Sequence, residues 1–302
     1  MSGIGSESRY IVTTGTFDGV HLGHQLLLTT LSAQGRRLGL RPVAVTFDRH
    51  PLSVIAPDRA PRMLLTSADR MRHIREYVPQ AVEIAFDSGM CAMTSREWLR
   101  RLRDDIGADA VMMGYDNSFG SDCAGKSFAD YVAMARELGM QVVEAPQLPG
   151  ISSSRIRTAI AAGDMEDACR MLGYSWFMRG RVTQGTRTGH EIGFPTANME
   201  VPDTLLIPQC GVYASTVGIP GHDPLPAVTN IGSRPTLDDG RGVTIETHIP
   251  GFDGSLYGKE ITVTPHAKIR DEQKFGSLDQ LRDRIARDVE ESLKLQSNNR
   301  YG

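Results

Sequence analysis

Strands and helices alternate through the first half of this 302-residue chain, and then the alternation stops. Short apolar runs at residues 11–13, 43–47, 81–86, 110–113 and 141–144 read as buried strands. Helical patterns lie between them, one over residues 22–38, one through Trp98, Leu99 and Leu102, and one from 128 to 138. Thr94 and Glu97 have capping-box spacing at the start of the second. Alternation of this kind dictates a parallel sheet with helices on both faces, and such sheets bind ligands at the carboxyl ends of their strands. From Phe177 the texture changes. Short alternating stretches at 211–217, 227–231, 243–249 and 259–264, separated by Gly, Pro and Asp, predict an antiparallel barrel or sandwich. A closing helix, capped by Ser277 and Gln280, carries Leu278, Leu281, Ile285, Val289 and Leu293 in one apolar stripe expected to pack on the core. A chain this long suits two domains, expected at 1–175 and 176–302 with the junction near residues 174–179.

The totals narrow the function. Hydrophobic and charged contents of 40% and 23% are those of an ordinary soluble protein. A net charge of −3 argues against a nucleic-acid partner, which calls for a basic face. No run reaches the ~20 apolar residues of a membrane span, and no membrane partner is expected. The opening MSGIGSESRY lacks the basic-then-apolar pattern of a signal peptide. Cys91, Cys123, Cys169 and Cys210 show neither metal-ligand spacing nor a disulfide framework. They read as reduced thiols of a cytoplasmic protein. An oligomer is possible but nothing indicates one.

The turn between the first strand and the first helix reads GTFDGVHLGH, residues 15–24. It places His21 and His24 in the first turn of a helix, with Gly23 between them. Glycine admits close approach of a ligand to the backbone. First-turn amides and the helix dipole attract phosphate. Two imidazoles add hydrogen bonds, and positive charge if protonated, to a strained phosphorane. A triphosphate attacked at its α-phosphate needs this arrangement.

A second cluster, ISSSRIRTAI at 151–160, follows the last strand of the first half. Hydroxyls at a helix start, with Arg155 and Arg157 as cationic forks, suit a departing pyrophosphate. Alone it reads as a capped surface helix; paired with the histidine turn it reads as functional. Residues 120–127, GSDCAGKS, fit the P-loop pattern and end in Lys126 and Ser127. Gly120 lies past the expected strand end and no metal-binding acidic strand accompanies it. The match is therefore taken as chance, the segment being a glycine loop over the same nucleotide.

FDGVHLGH with ISSSRIR resembles the adenylyltransferase module of the prokaryotic bifunctional riboflavin kinase/FMN adenylyltransferases, also called FAD synthetases. Gly114-Tyr115-Asp116 and Phe119-Gly120 resemble that family's middle motif, although Asn117 stands where an aromatic residue is usual. The second half is similar to the riboflavin kinase module. The matching segments are Gly193-Phe194-Pro195-Thr196-Ala197-Asn198, Gly211-Val212-Tyr213, Asn230-Ile231-Gly232 with Pro235-Thr236, and Ile245-Glu246-Thr247-His248-Ile249. Phe252-Asp253-Gly254 through Lys259, and Ile269-Arg270-Asp271-Glu272 through Phe275, complete the likeness. His190 stands where the family usually has an arginine, which predicts a weaker or pH-sensitive grip on nucleotide in the kinase site.

The resemblance implies a Rossmann-like nucleotidylyltransferase domain followed by a β-barrel kinase domain. It implies riboflavin, FMN and ATP as substrates, with Mg²⁺ as cofactor. His21, His24, Arg155 and Glu246 are the implied catalytic residues. Gly15, Phe17, Asp18, Gly23, Asp116, Asn117, Ser152, Ser153, Arg157, Gly193, Asn230 and Arg270 are the implied nucleotide- and flavin-binding residues. Thr196 and Asn198 are the implied metal ligands. These residues also make sense physically. Thr196 and Asn198 offer neutral oxygens at i and i+2 on one side of an extended segment, as suits Mg²⁺ held largely by substrate phosphates. Glu246 is a carboxylate in an apolar strand, able to take the proton of a sugar-like hydroxyl attacking a γ-phosphate. Taken singly, each also reads as turn chemistry or a solvated strand residue.

Three rivals remain. The same fold with one activity is motivated by Asn117 and His190. A tRNA-charging enzyme shares H-x-G-H turns, but the acidic balance and the lack of an anticodon-binding extension oppose it. A non-enzymatic flavin binder is opposed by retention of both histidines, Arg155 and Glu246.

Overall fold

The computed structural model describes residues 9–114, 119–185, 193–233 and 242–298. The chain divides into two compact units, Met1–Ser153 and Ser154–Gly302. In the first, β1 (Tyr10–Thr14), β2 (Arg41–Phe47), β3 (Gln80–Ile84), β4 (Ala108–Met113) and β5 (Gln141–Glu144) form a parallel sheet in the order β3-β2-β1-β4-β5. The chain steps from β1 to β3 in one direction and resumes at β4 on the other side of β1. The carboxyl ends of β1 and β4 therefore flank the switch point where such sheets bind ligands. Helix α1 (Leu22–Leu38) follows β1 with the expected bounds and ends at Gly39, whose φ of 67° closes a left-handed cap. Further on lie α2 (Leu52–Ile55), α3 (Ser67–Tyr77), α4 (Ser88–Ala92), α5 (Ser95–Arg101) and α6 (Phe128–Glu137). The Thr94–Glu97 capping box is formed at the start of α5. Tyr10, Val12, Val43, Val45, Trp98, Leu99 and Tyr131 belong to one continuous core.

Helix α7 (Ser153–Ala161) leads into the second unit, which also holds α8 (Met165–Leu172). Six strands follow: β6 (Met178–Thr183), β7 (Thr196–Glu200), β8 (Gly211–Gly218), β9 (Leu225–Ser233), β10 (Val243–His248) and β11 (Glu260–Arg270). They close into a barrel in the order β10-β7-β6-β11-β8-β9, all pairs antiparallel. The α/β sheet domain followed by an antiparallel barrel matches the expected fold. β6 and β7 carry no clear strand signal in the sequence. In β6 the inward positions are Met178, Gly180 and Val182, with glycine breaking the apolar rhythm, and β7 is polar, TANME. Inside the barrel Thr229 and Thr247 share a hydrogen bond of 3.1 Å between buried hydroxyls, which keeps both polar groups satisfied.

The closing helix, α9 (Leu278–Asn298), starts at Ser277, whose hydroxyl accepts the Gln280 amide. Its orientation differs from the expected stripe. Leu278 and Leu293 are exposed, whereas Asp288 and Ser292 are each 1% exposed. The inward face runs through Leu281, Ile285, Asp288, Ser292 and Gln296 at helical spacing. Polar anchors set this rotation. The Ser292 hydroxyl donates to the Ala227 carbonyl at 2.9 Å, and Gln296 donates to the Ser215 carbonyl at 2.8 Å.

Candidate active sites

In the sheet unit the chain leaves β1 through a strained turn. Phe17 and Val20 have φ of 46° and 35°, left-handed values that cost non-glycine residues about 1–3 kcal/mol each. Several bonds hold the turn. The Val20 amide donates to the Phe17 carbonyl at 3.0 Å, and the Thr46 hydroxyl to the Thr16 carbonyl at 3.2 Å. The Asp18 carboxylate, fully buried, accepts the amides of Leu64 and Leu65 at 2.9–3.4 Å. Asp18 thus fastens the 64–65 loop to the turn. Gly15 leaves room for the Phe17 ring, which is 2% exposed and meets the His24 ring edge-on at 5.3 Å. Gly15, Phe17 and Asp18 therefore build the floor beneath the histidines.

His21 is the N-cap of α1, its Nδ1 accepting the His24 amide at 3.3 Å. An accepting Nδ1 leaves the proton of the neutral ring on Nε2, which can donate. The two imidazoles stack with centroids 3.7 Å apart and planes 15° from parallel. A side chain at Gly23 would come within 3.2 Å of the His21 ring, so glycine at this position permits the stack. Burial, with the neighbouring His21 second, holds the His24 pKa well below the usual imidazole value. His24 is therefore neutral at neutral pH and offers hydrogen-bonding capacity rather than the charge considered from sequence. Its Nδ1 is buried and meets no hydrogen-bond partner among the described residues.

The second cluster is tied to the first. The Ser153 hydroxyl donates to the Asp18 carbonyl at 2.9 Å, joining residues that are 135 positions apart. Ser152 is exposed just before α7, Arg155 is exposed on it and Arg157 half-buried. The GSDCAGKS segment has a different task. Asp122 accepts both the Ser95 amide and hydroxyl at 2.7 and 2.6 Å, and Lys126 pairs with Asp122 at 2.8 Å. Ser127 and Asp130 form a capping box that places a carboxylate at the start of α6. A side chain at Gly120 would strike the Ser95 backbone. The segment straps the start of α5, with its lysine committed and an anion already on the helix that a P-loop would leave open.

In the barrel unit, strand register assembles a site from distant residues. Asn198 of β7 pairs with Glu246 of β10, Glu246 with Asn230 of β9, Asn230 with Val212 of β8, and Val212 with Arg270 of β11. Paired residues share a face, so the first four form a single row on the outer side of the barrel, and Arg270, which follows a register shift in β11, joins its end at the same cavity. The next row carries Thr196, His248 and Val228. A cavity of about 330 Å³ opens over them, lined by Thr196, Val212, Asn230, Glu246, Arg270 and, from α9, Leu281. Asn198 packs against Gly185 at the near end of the row. His248 shares a 2.9 Å hydrogen bond with the Pro195 carbonyl, which can only accept, so Nδ1 carries the proton. The same ring meets Phe194 edge-on at 5.2 Å, fastening the segment that brings in Thr196. Gly193 precedes it with φ of 83°. Glu272 accepts the Ser233 amide at 3.3 Å, and its carboxylate lies where a side chain at Gly232 would stand.

His248, Glu272, Phe275 and Asp288 also line this cavity. None was among the expected site residues. Two-residue alternation from Glu246 gives a signal for His248, and helical spacing from Leu281 and Ile285 gives one for Asp288. Asp116, Asn117 and His190 lie outside the described residues. So does the 234–241 segment with Pro235 and Thr236. Among the described residues no group of three or more His, Cys, Asp or Glu is placed to hold a metal, and no helix is long and apolar enough to cross a membrane. Thr196 and Asn198, with Glu246 beside them, make a hard oxygen donor set that fits magnesium with most of its shell left to water and phosphate.

Comparison with known proteins follows the same division. A family described as FAD synthetase matches residues 4–159, and one described as riboflavin kinase matches 172–296. The bifunctional riboflavin kinase/FMN adenylyltransferase of Pseudomonas fluorescens is 33% identical over 283 residues, covering 92% of this chain and 90% of that protein. Its counterpart in Escherichia coli K12 is 34% identical over 287 residues, with coverage of 92% and 90%. A crystal structure from Streptococcus pneumoniae, titled a macrolide-efflux protein, superposes with a TM-score of 0.83 at 32% identity over 95% of this chain and 94% of that one. With its strand row, its histidine turn and both halves matched in order, the chain belongs to the bifunctional riboflavin kinase/FMN adenylyltransferase family.

Proposed function

We propose that the chain makes FAD from riboflavin in two steps, using one ATP in each. In the barrel unit a riboflavin hydroxyl attacks the γ-phosphate of ATP, giving FMN and ADP. In the sheet unit the FMN phosphate attacks the α-phosphate of a second ATP, giving FAD and pyrophosphate. The observation that carries this reading is the presence of both assemblies in one chain: stacked histidines at a helix start, and a strand row containing Glu246 that faces a cavity on the outer side of the barrel.

Glu246 takes the proton of the attacking hydroxyl. Thr196 and Asn198 hold magnesium, which when bound neutralises phosphate charge. Asn230 and Arg270 fix the flavin, whose flat ring suits the apolar walls of Val212, Val228, Phe275 and Leu281. Gly193 contributes to nucleotide binding beside the segment that brings in Thr196.

For adenylylation, His21 donates from Nε2 to an α-phosphate oxygen, and Gly23 lets that phosphate approach the helix start. His24 hydrogen-bonds from the neutral state, and an anion held against it would raise its pKa. Ser152, Arg155 and Arg157 hold the β- and γ-phosphates, with Ser153 fastening their segment to Asp18. Asp116 and Asn117 complete the flavin or adenine contacts. The setting is the cytoplasm, where both substrates and reduced thiols are at hand. Supplying riboflavin and FMN in separate reactions with ATP and Mg²⁺ tests the two steps independently. Failure of either one reduces the chain to a single activity.

A further inference from the structure

Helix α9 presents a carboxylate to the barrel at its most buried turn. Asp288 is 1% exposed and lines the same cavity as Glu246. Arg270 Nε donates to Oδ1 and Oδ2 of Asp288 at 3.1 and 3.0 Å, and Nη2 donates to Oδ2 at 2.8 Å. Its Nη1 donates to the Asp271 carbonyl at 2.9 Å. All three guanidinium nitrogens are therefore anchored, and the group lies 5.8 Å from the centre of the Phe275 ring. On the other side, Arg284 Nε approaches Asp288 Oδ1 at 2.9 Å as an ion pair.

Simple packing does not call for this arrangement. A carboxylate drawn out of water is costly, and a hydrocarbon side chain would seat α9 on Val212 and Val228 without that cost. What the carboxylate adds is direction. Arginine is a long, mobile side chain, and a bidentate partner fixes both its position and its plane. Arg270 stands at the end of the row that begins with Asn198 and Glu246. Two of its five N–H bonds are not used by these partners and remain for a ligand in the cavity.

We propose that Asp288 is a positioning residue for riboflavin phosphorylation: from α9 it sets the Arg270 guanidinium at the cavity wall, and Arg270 in turn orients the flavin. This rests on the reading of the cavity as the riboflavin site. Substitution Asp288→Asn keeps the shape and removes the charge. It should raise KM for riboflavin about tenfold or more with a smaller change in kcat, as loss of a substrate-orienting contact does. KM for ATP and the rate of FMN adenylylation should stay at their original values. Because Asp288 acts through Arg270, adding Asp288→Asn to Arg270→Ala should cost little beyond Arg270→Ala alone. An unchanged riboflavin KM with only a lowered Tm, or fully additive losses in the double variant, overturns the proposal. If Asp288→Asn fails to fold, Asp288→Glu keeps the charge and moves it by one methylene. Its riboflavin KM should still rise severalfold, and an unaltered value overturns the proposal equally. A wild-type protein that makes no FMN would instead sink the underlying reading of the cavity.

Discussion

His24 shows how much a single side chain can be decided by its surroundings. The sequence places it one turn into a helix, where a charged imidazole would serve a phosphate well. Burial against Phe17 and stacking on His21 keep it neutral instead. Its native pKa lies below the unfolded value of 6.5, so the native state binds fewer protons than the unfolded chain. The stabilisation this gives is complete above pH 6.5 and is lost as pH falls towards the native pKa. His24→Gln should therefore flatten the loss of thermal stability below pH 6.5 and leave the neutral range alone. His24→Ala should slow FAD formation from FMN by about 10²–10³-fold, the scale of a lost transition-state donor. Riboflavin phosphorylation should be nearly untouched by it. Glu246 gives the converse case. Glu246→Gln is nearly isosteric and should cut FMN formation by about 10²–10⁴-fold, as for a positioned general base. FMN supplied directly to that variant should still become FAD, and an unchanged kinase rate would reduce Glu246 to a structural residue.

At the scale of elements, legibility followed local periodicity. Helix α1 and the Thr94–Glu97 cap could be read because their signals lie within a few residues. β6 and β7 lacked an apolar rhythm, and the Asn198–Glu246–Asn230–Val212–Arg270 row depends on pairing between distant strands, which no window of sequence contains. The rotation of α9 is hidden in the sequence because its apolar stripe is stronger than the polar anchors that actually turn it, Asp288, Ser292 and Gln296. At Gly15, Phe17 and Asp18 the motif was legible, and packing adds how these residues support the turn. The GSDCAGKS segment is a case where a pattern and a fold part company. Lys126 is held by Asp122, whose pKa that hydrogen bond and those from Ser95 depress. Lys126→Ala should leave FMN formation substantially intact, measured as riboflavin turnover, and a collapse in a folded variant would mean the kinase site lies elsewhere.

For the whole molecule, the question is where the two machines divide. All of α8 except Leu172 lies between the two family matches, the first ending at 159 and the second starting at 172. In the structure it packs on β11, with Met165, Ala168, Met171 and Leu172 buried. Gly163 just before it lies against the Tyr213 hydroxyl and Lys268. A fragment of residues 154–302 should fold alone and phosphorylate riboflavin without making FAD. One of residues 176–302 keeps every kinase motif but loses the helix over β11, so it should make FMN with a lower Tm. Equal melting of the two fragments would place the division near 175, as the sequence alone suggests. The most direct test of the two-site reading is a time course of the full chain with riboflavin, ATP and Mg²⁺, resolving FMN and FAD by chromatography, run beside His24→Ala. The full chain should pass through FMN to FAD, while the variant should accumulate FMN and form FAD about 10²–10³-fold more slowly. Equal loss of FMN and FAD in the variant, or FAD appearing there at the wild-type rate, would contradict the assignment of separate chemistries to the histidine turn and the barrel.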